Sequence, residues 1–203
     1  MTLKLARRSL LAAPVVLAAG RAQAAANAGE GWTREAFIEA MAKSGRPVDL
    51  SAGSFNAIQA RRPAALERIE GYLKERLGSA DPEVMRAFGE VPREYYHYQY
   101  DTRAPTPSNA YEAEPKPWGL GYGSALSDYL GQAYMTQVAK PKAGDVTLEI
   151  GTGSGYQSSI LSRICKASYS IEIIEPLGKA VGKIFAPLGY DNVRSRVGDG
   201  YFG

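Results

Sequence analysis

Three glycines within five positions mark the stretch Leu148-Glu149-Ile150-Gly151-Thr152-Gly153-Ser154-Gly155-Tyr156-Gln157, directly after an apolar run. Glycines in that setting serve either a tight strand-to-helix turn or a ligand that lies against bare main chain with no Cβ between. A nucleotide site of this design also needs an acid at the end of the next strand, about 20 residues on, to accept hydrogen bonds from ribose hydroxyls. Glu172 stands 21 residues after Gly151. Glu175 competes with it, but it precedes Pro176 and fits the first turn of a helix equally well. The spacing also limits the ligand. The dinucleotide pattern G-x-G-x-x-G fails, because Gly155 follows Gly153 by two and Tyr156 takes the next place, and there is no Walker lysine. A G-x-G-x-G turn preceded by the acid Glu149 suits a nucleoside without a pyrophosphate, as in S-adenosylmethionine. A turn that serves the fold alone is the competing reading.

The elements that must hold this turn follow from the hydrophobic pattern. Val146 to Ile150 reads as a buried strand, Gly155 to Ile164 as a helix, Tyr169 to Ile174 as a strand, Leu177 to Leu188 as a helix and Val193 to Val197 as a third strand. This βαβαβ order predicts an α/β fold, a Rossmann-like parallel sheet with right-handed connections. Ligands of such sheets bind beyond the carboxyl ends of the strands, where the glycine turn lies.

Upstream the sequence is helical. Trp32-Thr33 opens a segment with Phe37, Ile38 and Met41 on one side, and a polar loop spans Asp49 to Ser54. Leu66, Ile69, Leu73 and Leu77 then recur at helical spacing up to Gly78, a C-terminal stop. Asp81-Pro82-Glu83 is a new N-cap with proline at the first helical position, and its helix runs to about Phe88. From Val91 to Gly123, five prolines and scarce periodicity predict a long irregular loop. His97, the one histidine, sits there between tyrosines and reads as a packing or surface residue, since a single imidazole makes no metal site. A helix is expected from about Ser124 to Ala139, with Leu126, Leu130, Ala133, Tyr134 and Val138 facing inward.

At the N-terminus Lys4, Arg7 and Arg8 precede an apolar run from Leu10 to Ala19, and Ala22-Gln23-Ala24 supplies a small-residue cleavage site. The segment reads as a bacterial export signal, with Arg7-Arg8 resembling a twin-arginine motif, and the run is too short to span a bilayer. The chain carries a formal net charge of +3; the first 24 residues hold four cations and no acid, which leaves −1 for the remainder. That balance offers no basic footprint for nucleic acid and, with the signal removed, no stable membrane insertion is expected. Cys165 is the single cysteine, which excludes an intrachain disulfide or a cysteine metal cluster, and its apolar neighbours predict a buried, inert thiol.

Several stretches together, "VTLEIGTGSGYQSSILSRI", "YSIE", "LGYDNV" and "VGDGYFG", with "DPEVMRAFGEVPREYY" upstream, resemble successive motifs of the protein-L-isoaspartate O-methyltransferase family. The resemblance runs from about Ser79 to Gly203 and implies a class I S-adenosylmethionine-dependent methyltransferase with no metal. It implies that Glu149, Gly151, Thr152, Gly153 and Gly155 border the methionine end of the cofactor, with Tyr156 and Gln157 closing the motif. Glu172 would take the ribose, and Asp199 with Gly200 would face the adenine; an Asp-Gly turn closing a strand is the plainer reading of that pair. The family's substrate-side segment, G-x-G-Q-T-I-S, corresponds to Gly121-Tyr122-Gly123-Ser124-Ala125-Leu126-Ser127. Ser127 therefore falls on the family's active-site serine, although read by itself it is a helix N-terminal serine. Ser124 replaces glutamine, Ala125 replaces threonine, and Tyr129 replaces a proline. The lost threonine hydroxyl bears on isoaspartyl specificity.

The implied reaction transfers a methyl group from a sulfonium to a side-chain carboxylate of an L-isoaspartyl residue in a damaged protein or peptide. A carboxylate with a pKa near 4 is ionised at neutral pH, so no general base is required. In the family, the ester closes to a succinimide that reopens to aspartate, which constitutes repair. By this reading residues 1–24 are the signal, 25–90 a helical region, 91–140 the substrate-side loop and helix, and 141–203 a partial cofactor-binding domain. The family's sheet has seven strands with the first at its centre, whereas three candidate strands precede Gly203. The expectation is a sheet incomplete at its C-terminal side, an apolar edge on its first strand, and poor solubility of the isolated chain. A signal for export conflicts with a cofactor made in the cytoplasm. Two alternatives stand beside isoaspartyl repair: a methyltransferase for another carboxylate or small molecule, and a non-catalytic exported binding module.

Overall fold

The computed structural model describes residues 32–202, so the export signal lies outside the described residues. Helix α1, Arg34–Lys43, starts where the Thr33 side chain accepts from the amide of Ala36, and it buries Phe37, Ala40 and Met41. Helix α2, Ala52–Leu77, is 26 residues long and ends at Gly78 in the left-handed conformation, as its spacing predicts. It starts earlier than the expected polar loop allows. Ser51 caps it, and Phe55, Ile58, Ala65, Ile69 and Leu73 form one buried stripe that continues past Pro63. Asp81 caps α3, Pro82–Glu90, through the amides of Glu83 and Val84, with Val84, Ala87 and Phe88 turned inward.

The stretch expected to be a loop is instead part of the core. Arg93–Tyr96 forms a 3-10 turn, β1 (Tyr98–Gln99) pairs with β2 (Ala104–Pro105), and β3 (Trp118–Gly121) pairs with β4 (Ser124–Leu126), both antiparallel. Strands this short leave no periodicity to read. Aromatic packing holds them: Tyr95 and Tyr96 meet edge to face at 5.3 Å, Tyr96 and Tyr156 at 5.1 Å, and Tyr98 and Tyr100 at 5.1 Å. His97 is buried against Trp118, and burial pulls its pKa well below the usual histidine value, so it stays neutral.

The helix expected from Ser124 begins later. The turn Gly121-Tyr122-Gly123, with all three residues at positive φ, folds Ser124–Leu126 back as strand β4. Helix α4 is Tyr129–Ala139, capped by Asp128 on the amide of Gly131 at 2.8 Å. Leu126 and Leu130, read as one helical face, therefore belong to two elements. The inner face of α4 is Tyr129, Gln132, Ala133 and Thr136, while Tyr134 and Val138 point outward.

The βαβαβ unit is present. Strands β5 (Val146–Ile150), β6 (Ala167–Glu172) and β7 (Val193–Val197) form a parallel sheet in the order β5-β6-β7, joined by helices α5 (Tyr156–Ile164) and α6 (Glu175–Val181). The second helix is shorter than expected, and a separate 3-10 turn, Ala186–Leu188, follows it. Both helices pack on one face of β6 and β7. On the other face β5 is not the buried strand its composition predicts: Val146, Leu148 and Ile150 are 58–60% exposed. Val146 and Leu148, with Tyr169, Arg194 and Arg196, line an open recess, and β6 is the only partner of β5 among the described residues. Cys165 is buried, and burial pushes its thiol pKa up.

An apolar strand edge beside an open apolar face is a site of self-association. Sedimentation velocity on the chain is expected to show mass increasing with concentration, and Leu148→Lys, which adds a charge to that face, is expected to suppress the increase. A monomer at all concentrations in both forms would contradict this.

Candidate functional site

The turn between β5 and α5 has Gly151, Gly153 and Gly155 at φ of 89°, 54° and 79°, values that a side chain rarely tolerates. The three glycines do different work. At Gly155 a methyl would lie 2.8 Å from Ile184 Cδ1 and 2.9 Å from Phe185 Cζ, so this glycine serves close packing of helix against core. At Gly151 a methyl would meet nothing within 4 Å, so the main chain there faces open space. Gly153 lies between these cases: a methyl on it would sit 3.8 Å from Leu120 Cδ1 of β3, which sets the β3–β4 hairpin against the turn.

Glu172, at the end of β6, reaches across to the turn. Its Oε2 accepts from the amide of Gly153 at 2.8 Å and its Oε1 from the amide of Ile174 at 3.0 Å. A carboxylate has about four acceptor positions, so each oxygen keeps one free. The rival acid Glu175 sits in the first turn of α6, exposed and paired with Lys179. Glu149 lies on the helix side of β5, half-buried, and accepts from Ser158 Oγ. Burial, reinforced by the nearby Glu172 and only partly offset by Ser158, raises its pKa to about 7. Thr152 Oγ1 and Gln157 Oε1 are buried with no hydrogen-bond partner, while Gln157 Nε2 donates to Thr136 Oγ1 at 2.9 Å. Tyr156 packs its ring among Phe88, Tyr96 and Arg93, which leaves only its main chain at the turn.

Asp199 and Gly200 follow β7. The Asp199 carboxylate is exposed and accepts from the amide of Tyr201 at 2.9 Å. Gly200 abuts Ile150, since a methyl on it would lie 2.5 Å from Ile150 Cγ2, and this brings the Gly-Asp-Gly turn to the carboxyl end of β5. Ser127 is exposed between β4 and α4, one residue before the cap Asp128 rather than at the cap itself. Its carbonyl accepts from Arg93 Nη2 at 2.6 Å.

Sequence reasoning missed the support beneath this site. Arg93 is buried: Nη1 donates to Gln132 Oε1 at 2.7 Å, and the guanidinium lies 4.9 Å from the Tyr156 ring centroid. Buried Arg93 thus underlies both Ser127 and the start of α5, and its buried neighbour Glu94 accepts from Trp32, Gln59 and Tyr111. Charged residues are mostly exposed, so the sequence held no signal that this pair would be buried.

A family model described as protein-L-isoaspartate(D-aspartate) O-methyltransferase matches residues 67–203. Protein-L-isoaspartate O-methyltransferase 2 of Syntrophobacter fumaroxidans is 37% identical over 162 residues, 79% of this chain and 63% of that protein. Protein-L-isoaspartate O-methyltransferase 1 of Cupriavidus necator is 44% identical over 123 residues, 61% of this chain and 45% of that one. A solved protein-L-isoaspartate O-methyltransferase superposes with a TM-score of 0.57 at 26% identity, covering 70% of this chain and 43% of its own. The chain thus spans 45–63% of the length of these two curated relatives.

Gly155→Ala is expected to lower unfolding stability by about 2–3 kcal/mol in urea titrations, combining overpacking with strain, and Gly151→Ala by about 1–2 kcal/mol from strain alone. Equal losses would contradict the division of roles. With a raised folded-state pKa, Glu149 holds a proton that the unfolded chain has already released between the ordinary carboxylate range and about 7. Its contribution to stability therefore falls as pH rises through that window, and Glu149→Gln is expected to flatten the pH dependence of the urea midpoint there.

Proposed function

Because the chain belongs to the protein-L-isoaspartate O-methyltransferase family, we propose that its glycine turn binds S-adenosylmethionine and that it methylates the free carboxylate of L-isoaspartyl residues in damaged proteins. The observation that carries this reading is Glu172 clasping the amide of Gly153 beside the open main chain of Gly151. That arrangement leaves a space that a Cβ would narrow, next to a carboxylate with acceptor positions to spare.

The residues present fit the cofactor. Glu172 would accept from the two ribose hydroxyls, and Thr152 Oγ1 and Gln157 Oε1, both lacking partners, would serve the amino-acid end. Asp199, with one oxygen engaged by Tyr201, has the other to accept from an exocyclic amine. Glu149 would meet the cationic end, where a positive charge favours its ionised form. When bound, S-adenosylmethionine supplies an electrophilic methyl on a positively charged sulfur. Transfer would join a substrate carboxylate oxygen to that carbon as the carbon–sulfur bond gave its electrons to sulfur. The protein's task is alignment and exclusion of water, since the nucleophile is ionised at neutral pH. The β3–β4 hairpin would hold the substrate, with Ser127 at its end and Arg93 fixing the Ser127 carbonyl.

One observation favours a second substrate class. The hairpin carries Ala125 where the family has threonine, which removes a hydroxyl at that position and supports another carboxylate as acceptor, while Ser124 stands where the family has glutamine. Labelled-methyl transfer to an isoaspartyl peptide and to its aspartyl twin separates the two readings. Export remains part of the proposal on the strength of Arg7-Arg8 and the following apolar run; among the described residues no helix is long and apolar enough to cross a membrane. A fusion to a reporter active only outside the cytoplasm tests it.

In calorimetry S-adenosylmethionine is expected to bind, and Asp199→Ala to weaken it about tenfold. Binding should release a proton from Glu149, so affinity rises with pH up to about 7 and then levels off, and Glu149→Gln removes the rise. No binding to the parent chain would overturn the reading.

A further inference from the structure

A second recess, of about 570 Å³, shares no lining residue with the glycine turn and lies between the α1–α2 connection, the β1–β2 hairpin, Tyr122 and helix α6. Arg46, Arg103 and Lys183 line it along with Tyr98, Tyr100 and Tyr122, and no acid does. Arg103 and Lys183 are exposed, but Arg46 is 2% exposed. Its Nε donates to Ser44 Oγ at 2.9 Å, its Nη1 to the Tyr95 carbonyl at 2.8 Å, and the guanidinium stacks 4.3 Å over the Tyr95 ring. Nη2 has no partner. Arg46 forms no ion pair among the described residues, and the acids nearest to the recess in sequence are engaged elsewhere: Asp101 accepts from the amide of Thr102, and Glu175 pairs with Lys179.

A buried cation without a counter-charge is costly, and a guanidinium with a spare donor is shaped for a carboxylate or phosphate. Two of the three non-glycine residues with positive φ among the described residues, Arg103 and Tyr122, line this recess, so local strain is concentrated here. Arg46 also lies ahead of residues 67–203, the part that matches the family model, so the recess draws on sequence outside that match.

We propose that this recess binds an oxyanion, the carboxylate or phosphate group of a ligand, held by Arg46, Arg103 and Lys183 and walled by tyrosine rings. Two sources present that chemistry: a free inorganic or small-molecule oxyanion, and the side chains of an acidic polypeptide.

The test is calorimetry on the full chain at low ionic strength, with inorganic phosphate and with an end-capped glutamate dipeptide as probes. The parent should bind at least one probe. Arg103→Ala combined with Lys183→Ala, both at exposed positions, should weaken that binding about tenfold while the urea midpoint stays unchanged. Arg46→Met should abolish it; because Arg46 also supports the Tyr95 carbonyl, the surface double variant keeps the test independent of folding. Dipeptide binding that phosphate displaces identifies a polypeptide carboxylate as the ligand, and phosphate binding without dipeptide binding identifies a free oxyanion. Binding of neither probe, or binding equal in parent and double variant, overturns the proposal.

Discussion

The structure depends on two neighbouring residues of opposite charge, Arg93 and Glu94, both buried. A charge in that position must be given hydrogen bonds from protein groups or it destabilises the fold by several kcal/mol. Glu94 takes donors from Trp32 Nε1 at 2.8 Å, Gln59 Nε2 at 2.6 Å and Tyr111 Oη at 2.6 Å. Arg93 gives donors to Gln132 and Ser127 and lies against Tyr156. The residue ahead of α1, α2, the aromatic segment, α4 and α5 are therefore all fixed by one dipeptide. The helices ahead of the sheet help to hold the site by gripping its support.

The glycine turn depends on this support in a second way. Tyr156 begins α5, and its ring is clamped among Phe88, Tyr96 and Arg93, so the direction in which the helix leaves the turn is set by the aromatic core. Gly155 permits that approach, and Gly151 is left with open space. Two carboxylates, Glu149 and Glu172, then sit near the turn, and burial together with the charge of Glu172 disfavours ionisation of Glu149. A cationic ligand relieves that repulsion, whereas a neutral one of similar shape leaves it in place. Under the proposed function, that relief would favour a sulfonium over its demethylated product.

Much of this was readable in the sequence. The parallel sheet followed from runs such as Val146 to Ile150 and from the turn chemistry after them, and Gly78, Asp81 and Pro82 announced helix boundaries by mechanisms local to a few residues. What could not be read depends on distance through space. Tyr98–Gln99 and Ala104–Pro105 are too short for a period of two to register, and Leu126 and Leu130 mimic a helical face across a strand and a helix. The exposure of Val146, Leu148 and Ile150 is equally invisible, because burial depends on what lies across the sheet and not on the strand's own composition. Arg46 is hidden for the same reason: its surroundings come from Ser44 nearby and from Tyr95 and Tyr100 far along the chain.

The clasp between Glu172 and the Gly153 amide has a kinetic consequence. The loop is already tied by a bond between strand end and turn, so a nucleoside docking there as proposed would have little backbone to order and would forfeit little entropy. Such a seat would admit its guest at a rate governed by diffusion and orientation, without waiting for a segment to fold around it.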